Sequence, residues 1–193
     1  MHRFFIPEFE PVDREITLSG PVARQIKTVL RLEMNDQISL FDGSGSEWLA
    51  EIDRIGKTGV YITLKSDVNP VPEPNAQITM LLGLARPELT EFAIQKCTEL
   101  GAVRFVPVIS ERVQRGNKAT PSVHRLARWR RIAIEAAEQS GRATIPSVEP
   151  AQALMDVVEE QLRLRPVLCM WEEIIDSSLS LKRAIQSHKR HTT

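Results

Sequence analysis

Three prolines within seven residues, Asn69-Pro70-Val71-Pro72-Glu73-Pro74-Asn75, constrain this chain more than any other feature. Proline fixes φ and removes a backbone donor, so the stretch enters neither a helix nor a central strand and reads as a stiff linker. The patterning changes across it. Before it, residues 37–42, 47–55 and 59–66 alternate as half-buried strands do. Val60, Ile62 and Leu64 share one face, and Tyr61, Thr63 and Lys65 the other. Turns at Asp42-Gly43-Ser44-Gly45 and Gly56-Lys57-Thr58-Gly59 separate these runs. Short strands at this spacing predict a small antiparallel barrel, interrupted by a helix over about residues 21–32. After the linker, residues 78–84 and 105–109 are nearly unbroken apolar runs, as in strands covered on both faces. A helix from Pro87 to Gly101 would bury Leu89, Phe92, Ala93, Cys97 and Leu100. Helices over 122–141 and near 151–163, then a strand at 167–171, complete an alternation that predicts a parallel α/β sheet. The chain thus reads as two domains, 1–73 and 74–193.

An apolar fraction of 42% and a charged fraction of 26% belong to a soluble globular protein. No run of eighteen apolar residues exists, so no membrane span is expected and a cytoplasmic location follows. Pro7 breaks the N-terminal stretch too soon for a signal peptide. Cys97 and Cys169 sit in apolar surroundings and read as free thiols, and no Cys/His cluster has metal spacing. Formal net charge is zero, but its distribution is uneven. Residues 1–73 hold 8 basic and 12 acidic side chains, against 17 and 13 in residues 74–193. From Arg112 to Arg131 there are seven Lys or Arg and no acid, so local basic patches rather than bulk charge would hold a polyanion.

The helix over 122–141 carries an apolar stripe of Leu126, Trp129, Ala133, Ala136 and Ala137. That placement makes Trp129 a core residue rather than a base-stacking platform. The helix ends in Glu138, Gln139, Ser140 and Arg142 around Gly141, which fits either a solvated glycine C-cap or the wall of a pocket. Glu111-Arg112 and Glu138-Gln139-Arg142 fall at the ends of adjacent elements, where ion pairing is the economical expectation. Arg24, Lys27 and Arg31 at i, i+3 and i+7 would present three cations on one helix face. Gly116 and Asn117 place Arg115 and Lys118 in a loop suited to a phosphate backbone or to plain solubility.

Residues 128–146 resemble a signature of the ribosomal RNA small-subunit methyltransferase E family. So, in the same order along the chain, do Arg3-Phe4-Phe5, Val29-Leu30-Arg31, Leu40-Phe41-Asp42-Gly43, residues 95–101, and Pro107 with Ser110-Glu111-Arg112. The resemblance covers roughly residues 1–175. It implies a PUA-like RNA-binding barrel followed by a SPOUT-type α/β domain. It further implies S-adenosylmethionine as cofactor, N3 of a uridine in 16S ribosomal RNA as target, the small ribosomal subunit as partner, and a homodimer. It gives Glu138, Gln139 and Arg142 to the catalytic cleft, and Arg3, Arg24, Lys27, Arg31, Arg112 and Arg115 to RNA. Glu172, at the end of the strand expected over 167–171, falls to the cofactor rim. Many members carry histidine where Gln25 stands. The family's Gly-Pro-Glu-Gly-Gly loop and its Leu-Gly-x-Arg-x-Leu-Arg-Thr-Glu-Thr-Ala segment, which make most of the cofactor pocket and the knot, do not occur in the sequence. The chain is therefore expected to be an incomplete member whose SPOUT-type domain lacks its knot. The rival reading is a non-catalytic ribosomal RNA-binding fragment. A third, another nucleotide-handling α/β enzyme, would need a glycine-rich phosphate loop after a strand, and none is present.

Overall fold

The computed structural model describes residues 1–7, 9, 14–84, 86–111, 120–164, 166–169 and 183. It divides into two compact units, Met1–Ala151 and Gln152–Thr193.

The first unit opens with a five-stranded sheet in the order β1-β3-β4-β5-β2. Its strands are β1 (His2–Phe5), β2 (Glu15–Leu18), β3 (Gln37–Phe41), β4 (Glu47–Ile55) and β5 (Val60–Val68). Three pairings are antiparallel, but β1 runs parallel to β3, and among the described strands the ladder does not close. The expected all-antiparallel barrel is thus a PUA-like mixed sheet. The predicted alternation holds: Val60, Ile62 and Leu64 are buried, together with Ile38, Leu40, Ala50 and Ile52. Ala23 and Ile26 plug this core from the helical connection.

That connection departs from the expected single helix. It begins as α1 (Gly20–Arg24) and continues as a π-helical segment, Gln25–Leu30, with Arg31 in the left-handed region at φ 51°. A π-helix closes i→i+5 bonds and turns through a smaller angle per residue. The i, i+3, i+7 spacing therefore does not set Arg24, Lys27 and Arg31 on one face.

Beyond the proline-rich segment, β6 (Thr79–Gly83), β7 (Arg104–Ile109) and β8 (Ser147–Val148) run parallel in that order. This is the SPOUT-type half of the fold. Two helices flank the ladder, α2 (Pro87–Glu99) and α3 (Val123–Ser140). The stripe of α3 is buried as its spacing requires, with Trp129, Ala133, Ala136 and Ala137 at most 3% exposed. The indole N–H of Trp129 finds no partner among the described residues. The α2 helix is rotated from its expected setting. It buries Thr90, Ile94 and Thr98, while Leu89, Phe92 and Leu100 are exposed. Ile94 and Cys97 share a core with Trp129 and Ala133, and Glu91 reaches across to Arg128, so α3 selects the threonine face.

Gly101 ends α2's turn at φ 97°, and a Cβ placed there would lie 2.6 Å from Cγ of Pro74. Gly101→Ala is expected to cost about 2–3 kcal/mol from left-handed strain and overpacking. Urea titration checks this, and an unchanged midpoint would show that Pro74 gives way.

In the second unit, β9 (Gln152–Ala153) leads into α4 (Leu154–Leu164). The strand expected at 167–171 is absent from its described part: residues 166–169 adopt no regular structure, and Leu168 is 48% exposed. An apolar run alone did not make a strand. Met170 and Trp171 lie outside the described residues.

Candidate functional site

The carboxyl end of α3 is where the expected catalytic residues meet the first sheet. Ser122 starts the helix by accepting a hydrogen bond from the Arg125 amide, and Gly141 ends it in the left-handed conformation at φ 79°. Helix ends leave carbonyls without intrahelical donors. Here Arg3, on β1, donates to the end of the helix and to the turn after it. Its Nη1 donates to the carbonyls of Ala137 and Glu138, both at 3.3 Å, and its Nη2 to that of Arg142 at 3.3 Å. A cation at the negative end of a helix is also favoured electrostatically.

The rest of the Arg3 guanidinium closes on Glu47, with Nε at 3.0 Å and Nη2 at 2.7 Å. Its carbon lies 4.7 Å from the centre of the Phe41 ring. Glu47 is 6% exposed and also accepts from the Ser39 hydroxyl. Burial raises the Glu47 pKa, but the Arg3 fork and Ser39 outweigh it and hold the carboxyl below its ordinary value. All five N–H bonds of Arg3 are thereby engaged within the protein, which leaves none for the RNA phosphate expected of it.

Arg142 is spent in the same way. Its Nε donates to Glu73 at 3.0 Å, and its Nη1 to the carbonyls of Thr98 at 2.9 Å and Ala102 at 2.7 Å. Its Nη2 serves Thr144 at 3.2 Å and Glu73 at 2.8 Å. Arg142 is 7% exposed. It therefore ties the proline-rich segment, through Glu73, to the turn after α2 and to the strand-like stretch after α3. The catalytic contact expected of it has no free donor to make it.

Glu138 differs. Its Oε1 accepts the Phe5 amide at 2.9 Å, and no described residue donates to its other oxygen. Burial, aided by the neighbouring charge of Glu135 and opposed by the Phe5 bond and Arg3, raises its pKa. Gln139 is exposed at the same helix end. Ser140 turns back to the Ala136 carbonyl at 2.7 Å. Beside them the Gly43–Ser44 turn bridges to Thr144, and the Gly45 amide donates to Ala143 O at 3.2 Å. The two halves of the first unit thus meet along β1, this turn and residues 137–145.

Of the other expected RNA contacts, Arg24 and Arg31 are exposed, while Lys27 Nζ donates to the Gly56 carbonyl at 2.5 Å. Arg112, Arg115, Lys118 and Glu172 lie outside the described residues. Sequence reasoning missed Glu47 and Glu73. A register shift between Leu49 and Ala50 breaks the alternation that would have marked Glu47 as inward, and Glu73 sits among prolines where no periodicity exists. No helix among the described residues is long and apolar enough to cross a membrane, and none of their His, Cys, Asp and Glu cluster as metal ligands.

Residues 72–192 match the RNA methyltransferase domain, and residues 18–65 match the RNA methyltransferase PUA domain. The mixed sheet, the parallel ladder and these two matches define the class, an RNA methyltransferase domain preceded by its PUA domain. Ribosomal RNA small subunit methyltransferase E of Synechocystis is 31% identical over 160 residues, 82% of this chain and 50% of the relative. Its counterpart in Rickettsia conorii is 32% identical over 139 residues, 72% and 54% respectively. The crystal structure of the Neisseria gonorrhoeae enzyme, bound to S-adenosyl methionine, superposes with a TM-score of 0.74 at 33% identity. That match covers 83% of this chain and 66% of the other. The chain belongs to the ribosomal RNA small subunit methyltransferase E family. It spans about half the length of the two curated relatives.

Proposed function

We propose that the chain carries the RNA-binding face and part of the catalytic cleft of an S-adenosylmethionine-dependent methyltransferase. Its target in this reading is N3 of a uridine in small-subunit ribosomal RNA. Residues 1–73 form the RNA-binding domain, and residues 74–193 the first part of the transfer domain. The carrying observation is the junction at the end of α3, where Arg3 and the Phe5 amide fix Glu138 against β1. Arg142 has no donor left for the uracil, so Glu138 takes the orienting role. Its open oxygen can accept the N3 hydrogen of a uracil, and a raised pKa suits a group that receives a proton.

S-adenosylmethionine supplies the methyl group in this chemistry. The segments that make most of the family's cofactor pocket do not occur in the sequence. The chain is expected to bind the cofactor more weakly than about 100 μM. Calorimetry giving a micromolar constant, about −8 kcal/mol, would refute this.

Salt titration of binding to a small-subunit ribosomal RNA fragment, paired with transfer of labelled methyl from S-adenosylmethionine, tests the reading. Binding without transfer by the chain favours the RNA-binding rival for this chain. Absence of salt-dependent binding would overturn both. Replacing Arg24, Lys27 and Arg31 with Ala should flatten the salt slope by about two to three units if each meets a phosphate.

Glu138→Gln keeps an oxygen for the Phe5 amide and removes a charge that burial disfavours. A raised folded pKa means the ionised group costs stability at neutral pH, and the cost fades as pH falls through that raised value. The variant should therefore melt higher than the parent at pH 7, with the gain gone below pH 4. A lower melting temperature at pH 7 would show that the ionised carboxylate is a stabilising partner.

A further inference from the structure

The tip of the β4–β5 hairpin carries a cluster of which the resemblance gave Lys27 alone to RNA. A register shift between Ile52 and Arg54 leaves Asp53 as the extra residue and sets Arg54 opposite Tyr61. Such bulges re-aim side chains. The guanidinium carbon of Arg54 lies 3.8 Å from the centre of the Tyr61 ring, close enough for flat stacking. Stacking holds the guanidinium in place, and among the described residues no carboxylate pairs with Arg54 or with Lys57 at the tip.

Lys27 approaches from the π-helical segment and bonds the Gly56 carbonyl, so it pins the tip with its charge unneutralised by any described acid. The Tyr61 hydroxyl lies 3.2 Å from Oγ1 of Thr58. Its pKa is lowered by that bond, then by the charges of Arg54 and, more weakly, Lys27. Asp53, the nearest acid in the strand, is engaged by the Thr63 hydroxyl at 2.7 Å. Three cations, a hydroxyl pair and an aromatic ring thus share one end of the sheet. The helical connection that supports them is itself irregular, with a π turn and a left-handed Arg31, backbone states that tend to occur at functional sites.

We propose that Arg54, Lys57 and Lys27, organised by Tyr61, form an anchoring site for backbone phosphates of the bound RNA. The site rests on the reading that this chain binds ribosomal RNA, and it extends the RNA-binding face to the β4–β5 hairpin. Arg54 offers the bidentate fork that suits a phosphate, while the two lysines add point charge. The RNA is held here by charge and shape, without reading of bases.

The test uses the whole chain and a small-subunit ribosomal RNA fragment. Arg54→Gln with Lys57→Gln should lower the steepness of log K against log salt by about 1.5 units and weaken binding about tenfold near physiological salt. Both side chains are exposed, so an unchanged melting temperature is expected. Tyr61→Leu keeps every charge and should weaken binding by a smaller factor, because Arg54 loses its support. Saturating RNA should protect Lys57 from acetylation several-fold, as read by mass spectrometry, and leave Lys65, paired with Glu51, unprotected. If the parent chain binds RNA with a steep salt slope while the double variant matches it and Lys57 stays reactive, the hairpin site is wrong and the RNA-binding reading survives. If the parent shows no salt-dependent binding, both fall. Protection of Lys57 by a protein partner but not by RNA would likewise overturn the proposal.

Discussion

Arg142→Ala is expected to destabilise the protein by about 3–4 kcal/mol, roughly 6–15 °C in melting temperature for a chain of this size. The size of the effect comes from what the guanidinium leaves behind. The carbonyls of Thr98 and Ala102 lose buried donors, and Glu73 loses both the charge and the fork that hold its carboxylate. Burial raises the Glu73 pKa, and the bonds from Arg142 and Thr144, with the charge of Arg142, bring it below its ordinary value. Removing the other partner should cost far less. Glu73→Gln keeps an acceptor for the guanidinium and is expected to cost about 1–2 kcal/mol. Urea unfolding of the two variants measures the asymmetry. Equal losses would mean that the ion pair, rather than the buried carbonyls, sets the energy.

Arg3→Ala is expected to cost about 3 kcal/mol at neutral pH, since it strands a 6%-exposed carboxylate and uncaps α3 in one step. Its pH dependence separates these causes. In the parent, Glu47 has a depressed folded pKa, so its contribution is present above the ordinary carboxylate value and is lost as pH falls through the depressed one. In the variant, burial is opposed by the Ser39 hydroxyl alone and the folded pKa rises, so acidification relieves the stranded charge. The gap between parent and variant should therefore narrow as pH falls from 7 toward 3. A gap constant with pH would assign the whole loss to the helix cap. Arg3→Met combined with Glu47→Leu should cost less than Arg3→Ala alone, because no charge is then left buried without a partner.

The two arginines also mark the limit of what the chain discloses before it folds. Strands β3, β4 and β5 and the stripe of α3 were legible, because period-2 alternation and 3.6-residue spacing follow directly from which face is dry. The spacing of the 122–141 helix placed Glu138, Gln139 and Arg142 at one helix end, and the structure brings them there. It did not disclose that Arg142 would turn inward, because its partners Glu73, Thr98 and Ala102 lie 40 to 69 residues away and no local pattern encodes them. Arg3 is more extreme, with acceptors 134 to 139 residues distant.

Other misreadings have local causes. The α2 helix has apolar residues on two faces, and spacing alone chose the one carrying Leu89 and Phe92. The match of Ile94 to Trp129 chose the other. The spacing of Arg24, Lys27 and Arg31 assumed α-helical turns, which the π segment does not provide. Strand β1 was visible only as a family block, and β8, two residues long, is too short to carry any period.

The engagement of Arg3 with the end of α3 also bears on the timetable of synthesis. About seventy residues separate the end of the first sheet from Arg142, which at about 5–20 residues per second is a delay of roughly 4–14 s on the ribosome. Through that interval Arg3 can already reach Glu47, but its Nη1 hydrogens and the Phe5 amide have only water to bond. The nascent sheet therefore waits with the β1 margin wet and open to other strands, and it becomes sealed only when the α3 carboxyl end emerges to dock. Arg3, on the first strand of the sheet, completes its hydrogen bonds only after α3 has been made.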